Sequence, residues 1–582
     1  MCVSSMNKLH QQIGKIGLAI VLFIAIFFRF FHMPSIPPSL NWDEVAFGYN
    51  AYSILKTGKD EFGKPFPLYF RSLDDNKMPV NTYLTVGSIA VFGYNDFAVR
   101  FPSAFLGALT VLCFYFLVKD LFAVGQNIRH GTMSMGQKDD SAHCSLSSVT
   151  CISLLSAALL AILPWHIQFS RFAAEANVGF FFLILGSWLF IAGIKRSPWL
   201  LMLSPLCFGL SAYSYLSFQV FTPLLGFMLT LLYLKELIRL KRKYIIGFCV
   251  TVGIVGIFFT YNTIFNNVHI RVKGTSVFNT QQAKDIFDHK EQEMFYDATL
   301  KINLVRRLFH DNQLFTSADI LIRGYLTHFS PTFLFFDYEQ KQHHTPFVGL
   351  LYLVMLPFIP IGFYFLIRKF KRQEVIFVLA WLLMGPIPAS ITWDIPHAIR
   401  VYSMVVPLVI LTSIGIYYST LFFRKNKVVF PVFIAGIFFL FALSSYYYFH
   451  QYMIHLPIER SKDWVYGRKE LSEYLEKNKY KYDRIIVSTS LEWPYIFLLY
   501  YSRYDPQKYL NQGGTLSGGW GEEGNKYDTY EFHKFRSEDR NLPKVLFVGK
   551  PEEFLDKVIP LYRINYLDGT PAIYVVEGDV KT

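Results

Sequence analysis

The sequence predicts a multi-pass α-helical membrane protein that carries a small C-terminal α/β domain. Of its 582 residues, 52% are hydrophobic and only 17% are charged, which is too apolar for an ordinary soluble protein of this length. Apolar runs close to the roughly 20 residues needed to cross a bilayer recur up to residue 450. After that point the composition turns polar, so a soluble domain is expected there.

The apolar runs predict about eleven transmembrane helices. The first, residues 13–31, follows Lys8 and Lys15 and lacks a small-residue cleavage site, which indicates an uncleaved anchor. The others are expected at 96–122, 149–164, 176–194, 199–215, 219–234, 244–263, 347–367, 374–391, 402–422 and 428–448. The predicted domains are a membrane domain at 1–450, with long loops at 32–95 and 264–346, and a soluble domain at 451–582.

Basic residues are concentrated in alternate connecting segments, such as 239–243 and 368–372, and their surplus accounts for the net charge of +13. By the positive-inside rule, the N-terminus is expected in the cytoplasm, and both long loops and the C-terminal domain outside the cytoplasmic (plasma) membrane. The basic charge is therefore explained by topology, and no nucleic-acid partner is implied. None of the 6 cysteines falls in a predicted external segment, so no disulfide framework is indicated.

Two adjacent carboxylates follow the first predicted span. Asn41 is a suitable N-cap and Gly58 a suitable end for a helix that places Asp43 and Glu44 in its first turn. Free backbone N–H groups at that position favour the ionised carboxylates. An ionised carboxylate at a membrane surface can take a proton or bind a metal. The alternative interpretation is that both residues only cap the helix.

The rest of the first long loop contains a polar cluster and a short apolar helix. The cluster, residues 71–79, includes Asp75 and Lys77 and can fold back towards Asp43, although a solvated loop fits the pattern equally well. Residues 80–92 have the length of an interfacial helix.

Later loops add histidine and arginine side chains. His397 and Arg400 share a helix face if the next span begins at Pro396, so both can point at one anionic group; the alternative is that Arg400 extends to lipid headgroups. The pair His343 and His344 weakly suggests a metal site, but a surface loop is favoured because no third ligand stands at a recognisable spacing.

The C-terminal segment has short apolar runs typical of a sheet protein. Strands are expected at 484–488, 544–548 and 571–577, and helices at 492–501 and 551–558. Residues 513–521 are rich in glycine but lack the Gly-Lys-Ser/Thr ending of a phosphate-binding loop, so we expect a flexible loop there.

Taken together, four motifs resemble those of the GT-C membrane glycosyltransferases, in particular the protein O-mannosyltransferase and lipid A aminoarabinose transferase branch. They are the Asp43-Glu44 pair after the first span, the cluster at 75–79, the start of the second span at 97–103, and residues 164–171. The resemblance is good over 13–265, looser over 345–450 and absent from the C-terminal domain. It implies a GT-C-like fold for the membrane domain.

The resemblance also implies an activity. Such an enzyme transfers a hexosyl or pentosyl group from a polyprenyl-phosphate carrier to a protein, lipid or cell-envelope glycan outside the cytoplasmic membrane, with membrane lipids around it. Asp43, with Glu44 beside it, matches the family's catalytic acidic position. Lys77, Arg400, His397 and Arg171 would meet the donor phosphate, and Asp75 and Arg100 would support the site. Asp43 is also the candidate ligand for a divalent metal, Mg or Mn.

Other classes of protein remain alternatives. A polysaccharide ligase or polymerase of another fold would share the lipid-linked donor, but its chemistry is expected in a late external loop. A transporter is disfavoured because the spans carry almost no charge within the membrane. A non-catalytic scaffold leaves the set of Asp43, Lys77 and Arg400 unexplained.

Overall fold

The structure is a computed structural model of the chain. It describes residues 2–72, 75–123, 146–265, 276–302, 304, 309, 313–336, 342–517, 523–541 and 543–578. The predicted glycine-rich loop lies outside these residues from position 518 onward, as do parts of the predicted loop at 264–346.

Helices make up most of the described chain. Up to residue 265 they are α1 (Cys2–Phe30), α2 (Trp42–Thr57), α3 (Pro79–Phe92), α4 (Asp96–Phe122), α5 (Leu146–Ile162), α6 (Pro164–Arg171), α7 (Glu175–Lys195), α8 (Ser204–Ala212), α9 (Leu216–Leu232), α10 (Leu234–Ile238) and α11 (Arg242–Phe265). Beyond it they are α12 (Gln281–Thr299), α13 (Gln313–Thr327), α14 (Pro331–Phe335), α15 (Phe358–Lys369), α16 (Arg372–Met384), α17 (Ile387–Ser390), α18 (Val405–Phe423), α19 (Val429–His450), α20 (Leu456–Glu459), α21 (Arg468–Asn478), α22 (Pro494–Tyr501) and α23 (Pro506–Asn511).

Many of these helices are apolar enough to lie in a membrane. In the part of the chain that the structure describes, six helices have the length and composition to cross it, or seven if the pair α5 and α6, bent by 53°, forms one span. Helix α9 and the segment Pro198–Ala212 are apolar but shorter. The protein is thus a multi-pass helical membrane protein, and the count of eleven spans stays a prediction.

The strands form a hairpin and a six-stranded sheet. Their bounds are β1 (Phe70–Ser72), β2 (Asp75–Lys77), β3 (Arg484–Val487), β4 (Lys526–Tyr527), β5 (Tyr530–Phe532), β6 (Val545–Gly549), β7 (Tyr562–Asn565) and β8 (Pro571–Val576). Strands β1 and β2 pair antiparallel. The sheet has the order β4-β5-β3-β6-β8-β7, and β3 runs parallel to β5 and β6, whereas the other pairs are antiparallel.

By internal contacts the chain divides into two compact units. Unit 1 comprises Met1–Phe28, Gly107–Ile167 and Gly179–Tyr446. Unit 2 comprises Arg29–Leu106, Gln168–Val178 and Tyr447–Thr582, so it combines the first long loop with the C-terminal segment. Two predicted regions that are far apart in sequence therefore belong to one packed body.

Helices α15 and α18 of unit 1 pack with their backbones in direct contact. Gly362 on α15 faces the carbonyl oxygen of Leu411, and Gly415 on α18 faces that of Phe358. A Cβ at either glycine would overlap the opposite backbone, so only glycine permits this approach. Unit 1 is in this respect built like other membrane bundles, in which small residues let helices come close.

The core of unit 2 joins α2 to the sheet domain. Val45, Phe47 and Tyr49 of α2 belong to the same buried cluster as Ile485 of β3 and Trp493 at the start of α22. Burial of apolar surface is the main stabilising term in folding, so this shared core fixes α2 against the domain. The side chains at the start of α2 are thereby held on a rigid element.

The C-terminal domain has the predicted α/β class, with differences in detail. Strands β3, β6 and β8 lie close to the predicted bounds, and α22 corresponds to the predicted helix at 492–501. The helix expected at 551–558 is wrong: only a single 3-10 turn, Pro551–Glu553, forms. Phe554 is buried and Val558 packs against the same cluster, whereas Leu555 and Ile559 are exposed, so the segment makes its apolar contacts without a continuing helix.

Candidate functional site

The start of α2 has the predicted capping arrangement. The side chain of Asn41 accepts a hydrogen bond from the Glu44 N–H at 2.9 Å, and the Asn41 N–H donates to Glu44 Oε2 at 3.1 Å. Gly58 ends the helix in the left-handed conformation, with φ of 72°. The prediction that Asp43 and Glu44 occupy the first helical turn is therefore confirmed.

Asp43 forms an ion pair with Lys77. The β1–β2 hairpin brings Lys77 to α2, where its ammonium donates to Asp43 Oδ1. Of the two interpretations of this cluster, the structure therefore shows the fold-back and not the solvated loop. Lys77 is 4% exposed and lies 4.9 Å from the ring centroid of Phe47. Asp43 is 47% exposed. The ammonium is thus held in place while the carboxylate stays accessible to another molecule.

Glu44, the neighbouring carboxylate, is fully buried. Arg100 of α4 binds it through two parallel hydrogen bonds, Nε to Oε1 at 2.9 Å and Nη2 to Oε2 at 3.0 Å. The backbone N–H of Ala173 donates to Oε1 at 3.0 Å, in addition to the Asn41 N–H described above. Both oxygens of Glu44 are therefore occupied, and this residue holds the start of α2 in position.

Arg100 and Arg171 both bind the backbone that precedes α2. Arg100 donates to the carbonyl oxygens of Met33 at 2.9 Å, Pro37 at 3.0 Å and Ser39 at 2.6 Å. Arg171 donates to Phe31 and Ile36 carbonyl oxygens at 2.7 and 3.2 Å and lies 5.1 Å from the ring centroid of Tyr452. Both guanidinium groups are fully buried, so each fixes the segment that leads from α1 into α2.

Asp75, predicted as a supporting residue, lies in β2. Its backbone pairs with that of Ser72 across the hairpin, two residues before Lys77. Asp75 thus belongs to the hairpin that delivers Lys77 to Asp43.

Arg400 and His397 lie in unit 1, in a turn between α17 and α18. The expectation that they share a helix face is wrong, because α18 begins only at Val405. Arg400 is half-buried and donates to Thr392 Oγ1 at 2.9 Å and to the Trp393 carbonyl. This side chain is consequently held by its own loop.

His397 belongs to a group of histidines. The centroid of its ring lies 5.1 Å from that of the His343 ring, and its backbone N–H donates a hydrogen bond to His328 Nε2 at 3.3 Å. Burial and the positive charge of Arg400 lower the pKa of His397, and burial lowers the pKa of His328 to about 4. Both histidines are therefore neutral at pH 7 and offer hydrogen bonds but no charge.

The candidate metal-ligating side chains do not fit a divalent metal. Asp43 faces an ammonium, and both oxygens of Glu44 are occupied by hydrogen-bond donors. Among the side chains that the structure describes, no three His, Cys, Asp or Glu groups come together as ligands, and this includes the pair His343 and His344. These side chains therefore do not form a divalent-metal site.

Sequence reasoning missed Glu61, a fully buried carboxyl group in the loop after α2. It accepts hydrogen bonds from Asn50 Nδ2 at 2.9 Å, Tyr495 OH at 3.1 Å and Thr515 Oγ1 at 2.8 Å. Burial without a cationic partner raises its pKa to about 7. Two of its three partners, Tyr495 and Thr515, come from distant parts of the chain, so no local sequence pattern predicts this site. The signal that the sequence does offer is the polar Asn50 among the apolar residues of α2.

These observations define a multi-pass helical membrane protein with a mixed-sheet domain and a lysine-paired carboxylate in the first turn of a helix. ArnT from Cupriavidus metallidurans bound to undecaprenyl phosphate aligns over 98% of this chain and 98% of that chain, with a TM-score of 0.52 and 10% sequence identity. Its apo form aligns with a TM-score of 0.49 at 10% identity, over 99% and 98% of the two chains.

A second solved structure is the archaeal oligosaccharyltransferase AglB from Archaeoglobus fulgidus, in complex with an inhibitory peptide and a dolichol-phosphate. It aligns with a TM-score of 0.45 and 13% identity, over 84% of this chain and 63% of that chain. No protein-family model and no curated protein matches the sequence. ArnT and AglB are GT-C glycosyltransferases, and the alignment with undecaprenyl-phosphate-bound ArnT confirms the predicted resemblance as a shared fold.

Proposed function

We propose that the protein is a glycosyltransferase that moves a sugar from a polyprenyl-phosphate carrier to an acceptor hydroxyl or amine. In this reaction the acceptor oxygen or nitrogen forms a bond to the anomeric carbon of the sugar. The bond between that carbon and the phosphate oxygen breaks, and the electron pair leaves with the polyprenyl phosphate. The acceptor proton needs a base, and the departing phosphate needs a positive charge.

The observation that carries this proposal is the pair of Asp43 and Lys77. Asp43 is an accessible carboxylate on a rigid helix, and it accepts the proton of the acceptor group as general base. Lys77 is the buried cation next to it. When Asp43 takes up the proton, the Lys77 ammonium loses its counter-charge and becomes available to the negative phosphate.

Glu44, Arg100 and Arg171 act as positioning residues in this proposal. Their polar groups are engaged with one another or with backbone atoms and lie away from solvent. They fix the segment between α1 and α2, and with it the direction in which Asp43 points. A base contributes to catalysis only within hydrogen-bond reach of its proton, so this positioning matters for the rate.

Arg400 and His397 carry a separate hypothesis, that they bind the donor phosphate. Arg400 has a permanent charge and a fork of donors suited to phosphate. His397, neutral at pH 7, would add one hydrogen bond at most.

The proposed setting is the cytoplasmic membrane, with the N-terminus in the cytoplasm and Asp43 and the C-terminal domain outside. Reporter fusions after Lys243 and after Thr582 test this orientation. We expect them to report opposite sides of the membrane. The same side for both fusions would contradict the orientation.

The central test is a transfer assay with the purified full-length protein in detergent. Polyprenyl-phosphate sugars are supplied with a mixed acceptor preparation of cell-envelope protein, lipid and glycan, and release of polyprenyl phosphate is measured. We expect release with the parent protein and its loss in Asp43→Asn. Release from neither protein would favour a transporter or a scaffold, and equal release from both would place the chemistry elsewhere, as in a ligase of another type.

A further inference from the structure

A cleft of about 440 Å³ opens within unit 2, away from the Asp43–Lys77 pair. It is lined by side chains from the start of α4 and from α21 and α22, including Tyr94, Phe97 and Tyr501. Concave sites with aromatic walls and a few polar groups are the usual form of a small-ligand site.

The aromatic side chains of the cleft are held by other rings. Tyr94 stacks on Tyr52 with 4.3 Å between centroids, and its other neighbour, Tyr500, lies at 4.8 Å. Tyr500 in turn contacts Tyr501 edge to face at 5.0 Å. Rings fixed in this way lose little conformational entropy when a ligand packs against them.

The charged groups of the cleft balance one another. Asp96 accepts a hydrogen bond from Tyr500 OH at 3.1 Å and lies 3.8 Å from the Lys469 ammonium. Glu473 and Arg503 are exposed, and within the described part of the chain their side chains form no hydrogen bond or ion pair. Two carboxylates and two cations sum to zero, so the cleft suits a neutral polar ligand better than a phosphate.

A saccharide has the matching chemistry. Its hydroxyl groups donate and accept hydrogen bonds, which carboxylates and cationic side chains complement. Its C–H faces pack against aromatic rings, whose faces carry negative charge density. A lipid chain would cover Glu473 and Arg503 without offering them hydrogen-bond partners, at a cost in free energy.

A side chain of the cleft packs directly against α2, the proposed catalytic helix. The Tyr500 ring packs on Gly48 of α2, where a Cβ would lie 2.5 Å from Tyr500 Cε2. Gly48 is five residues beyond Asp43, roughly 7.5 Å along a helix axis. Asp96 also lies one turn before Arg100, the partner of Glu44, on α4.

We propose that this cleft binds a saccharide unit of the acceptor, packed against Tyr94 and Tyr501 and hydrogen-bonded to Asp96, Glu473 and Arg503. The assignment rests on the proposed transferase function. It makes the acceptor a molecule that already carries sugar: a glycan, glycolipid or glycoprotein.

Saturation-transfer NMR with the full-length protein in detergent tests the assignment without the donor. The probes are neutral di- and trisaccharides built from hexose and N-acetylhexosamine units, with inorganic phosphate, whose binding is followed by ³¹P line broadening, as the alternative ligand. We expect at least one saccharide to bind the parent, and Glu473→Gln to weaken that binding by about tenfold, the effect of one weakened hydrogen bond to a charged group. Tyr501→Ala should weaken it by a similar factor, because the saccharide loses an aromatic packing surface. Matched controls outside the cleft, Glu552→Gln and Tyr480→Ala, should bind like the parent.

Three results would overturn the saccharide site: binding of none of the probes, binding of phosphate alone, or binding that persists unchanged in both cleft variants. Glu473 is exposed, so Glu473→Gln keeps the test valid even if Tyr501→Ala fails to fold. If a saccharide binds but no polyprenyl phosphate is released in the transfer assay, the transferase function is refuted and the saccharide site stands. If polyprenyl phosphate is released but no saccharide binds, the saccharide site is refuted and the transferase function stands.

Discussion

Asp43 and Glu44 are neighbours in sequence, yet they lie in opposite environments. Glu44 is fully buried, and Arg100 binds it through two hydrogen bonds, whereas Asp43 is 47% exposed and bound by one lysine. Successive residues of a helix point about 100° apart, so one faces the interior of unit 2 and the other faces out. The difference indicates that one carboxylate holds the structure while the other is available for chemistry.

The largest expected effect is on transfer in Asp43→Asn. The amide keeps the size and can still accept a hydrogen bond from Lys77, but it cannot act as a base. We expect the transfer rate to fall by about 10² to 10⁴. The melting temperature should fall as well, because the Lys77 ammonium, only 4% exposed, loses its counter-charge. The measurement is the rate of polyprenyl phosphate release per correctly inserted protein.

Glu44→Gln is the matched control for that variant. Its amide N–H groups would face the donors of Arg100 or Asn41, so we expect a lower yield of folded protein. The rate per folded molecule should fall less than in Asp43→Asn. A greater loss of rate in Glu44→Gln would reverse the roles assigned to the two carboxylates.

The next largest effect is on stability in Arg100→Met. Removal of the guanidinium leaves the Glu44 carboxylate buried without a counter-charge, and it also removes donors to three backbone carbonyls. We expect a loss of about 3 to 5 kcal/mol in the free energy of unfolding. Thermal unfolding of the purified protein measures it.

Lys77→Met provides the comparison for Arg100→Met. Asp43 remains partly solvated, so breaking this pair should cost about 1 kcal/mol or less in stability while it lowers transfer. Equal destabilisation by the two substitutions would contradict the contrast between the two ion pairs.

Glu61 sharpens the comparison, because it is buried like Glu44 but, among the residues that the structure describes, its side chain accepts hydrogen bonds only from neutral donors. Its pKa rises from the ordinary 4.5 to about 7 through burial, so between these pH values the folded state holds a proton that the unfolded state has released. Stability from this group is therefore greatest at low pH and falls as the pH rises through about 7.

Above that pH the ionised Glu61 costs about 3 kcal/mol, which Glu61→Gln should recover. We expect the melting temperature of the parent to drop between pH 5.5 and 8.5, and that of Glu61→Gln to drop much less. Glu552→Gln, at an exposed position, should behave like the parent. A parallel decline in all three proteins would show that Glu61 does not cause the pH dependence.

The smallest expected effect on transfer is that of Arg400→Ala. A lost charge-assisted hydrogen bond to phosphate is worth about 1.5 to 3 kcal/mol, so the KM for the lipid-linked donor should rise about tenfold to hundredfold with kcat less affected. Steady-state rates over a range of donor concentrations measure both constants. Unchanged constants would assign Arg400 to its contacts with Thr392 and Trp393 alone.

Much of the fold and part of the site could be predicted from local patterns. Apolar length predicts helices such as α4 and α7, and the cap at Asn41 predicts the start of α2. These helix features depend on residues close together in sequence or on hydrophobicity, which a single chain displays directly. For the polar cluster around Lys77 the sequence left two interpretations open, a fold-back on Asp43 and a solvated loop, and the structure decided for the fold-back.

The sequence by itself thus determined the membrane class, the α/β character of the C-terminal domain and the position of both carboxylates in one helical turn. Only the tertiary structure decided which carboxylate is buried, because Arg100, Ala173 and Asn41 meet at Glu44 from three segments. Tertiary structure likewise buried Glu61 among Asn50, Tyr495 and Thr515. The physical reason is that desolvation and hydrogen bonding depend on what surrounds a group in space, and distant segments supply those surroundings.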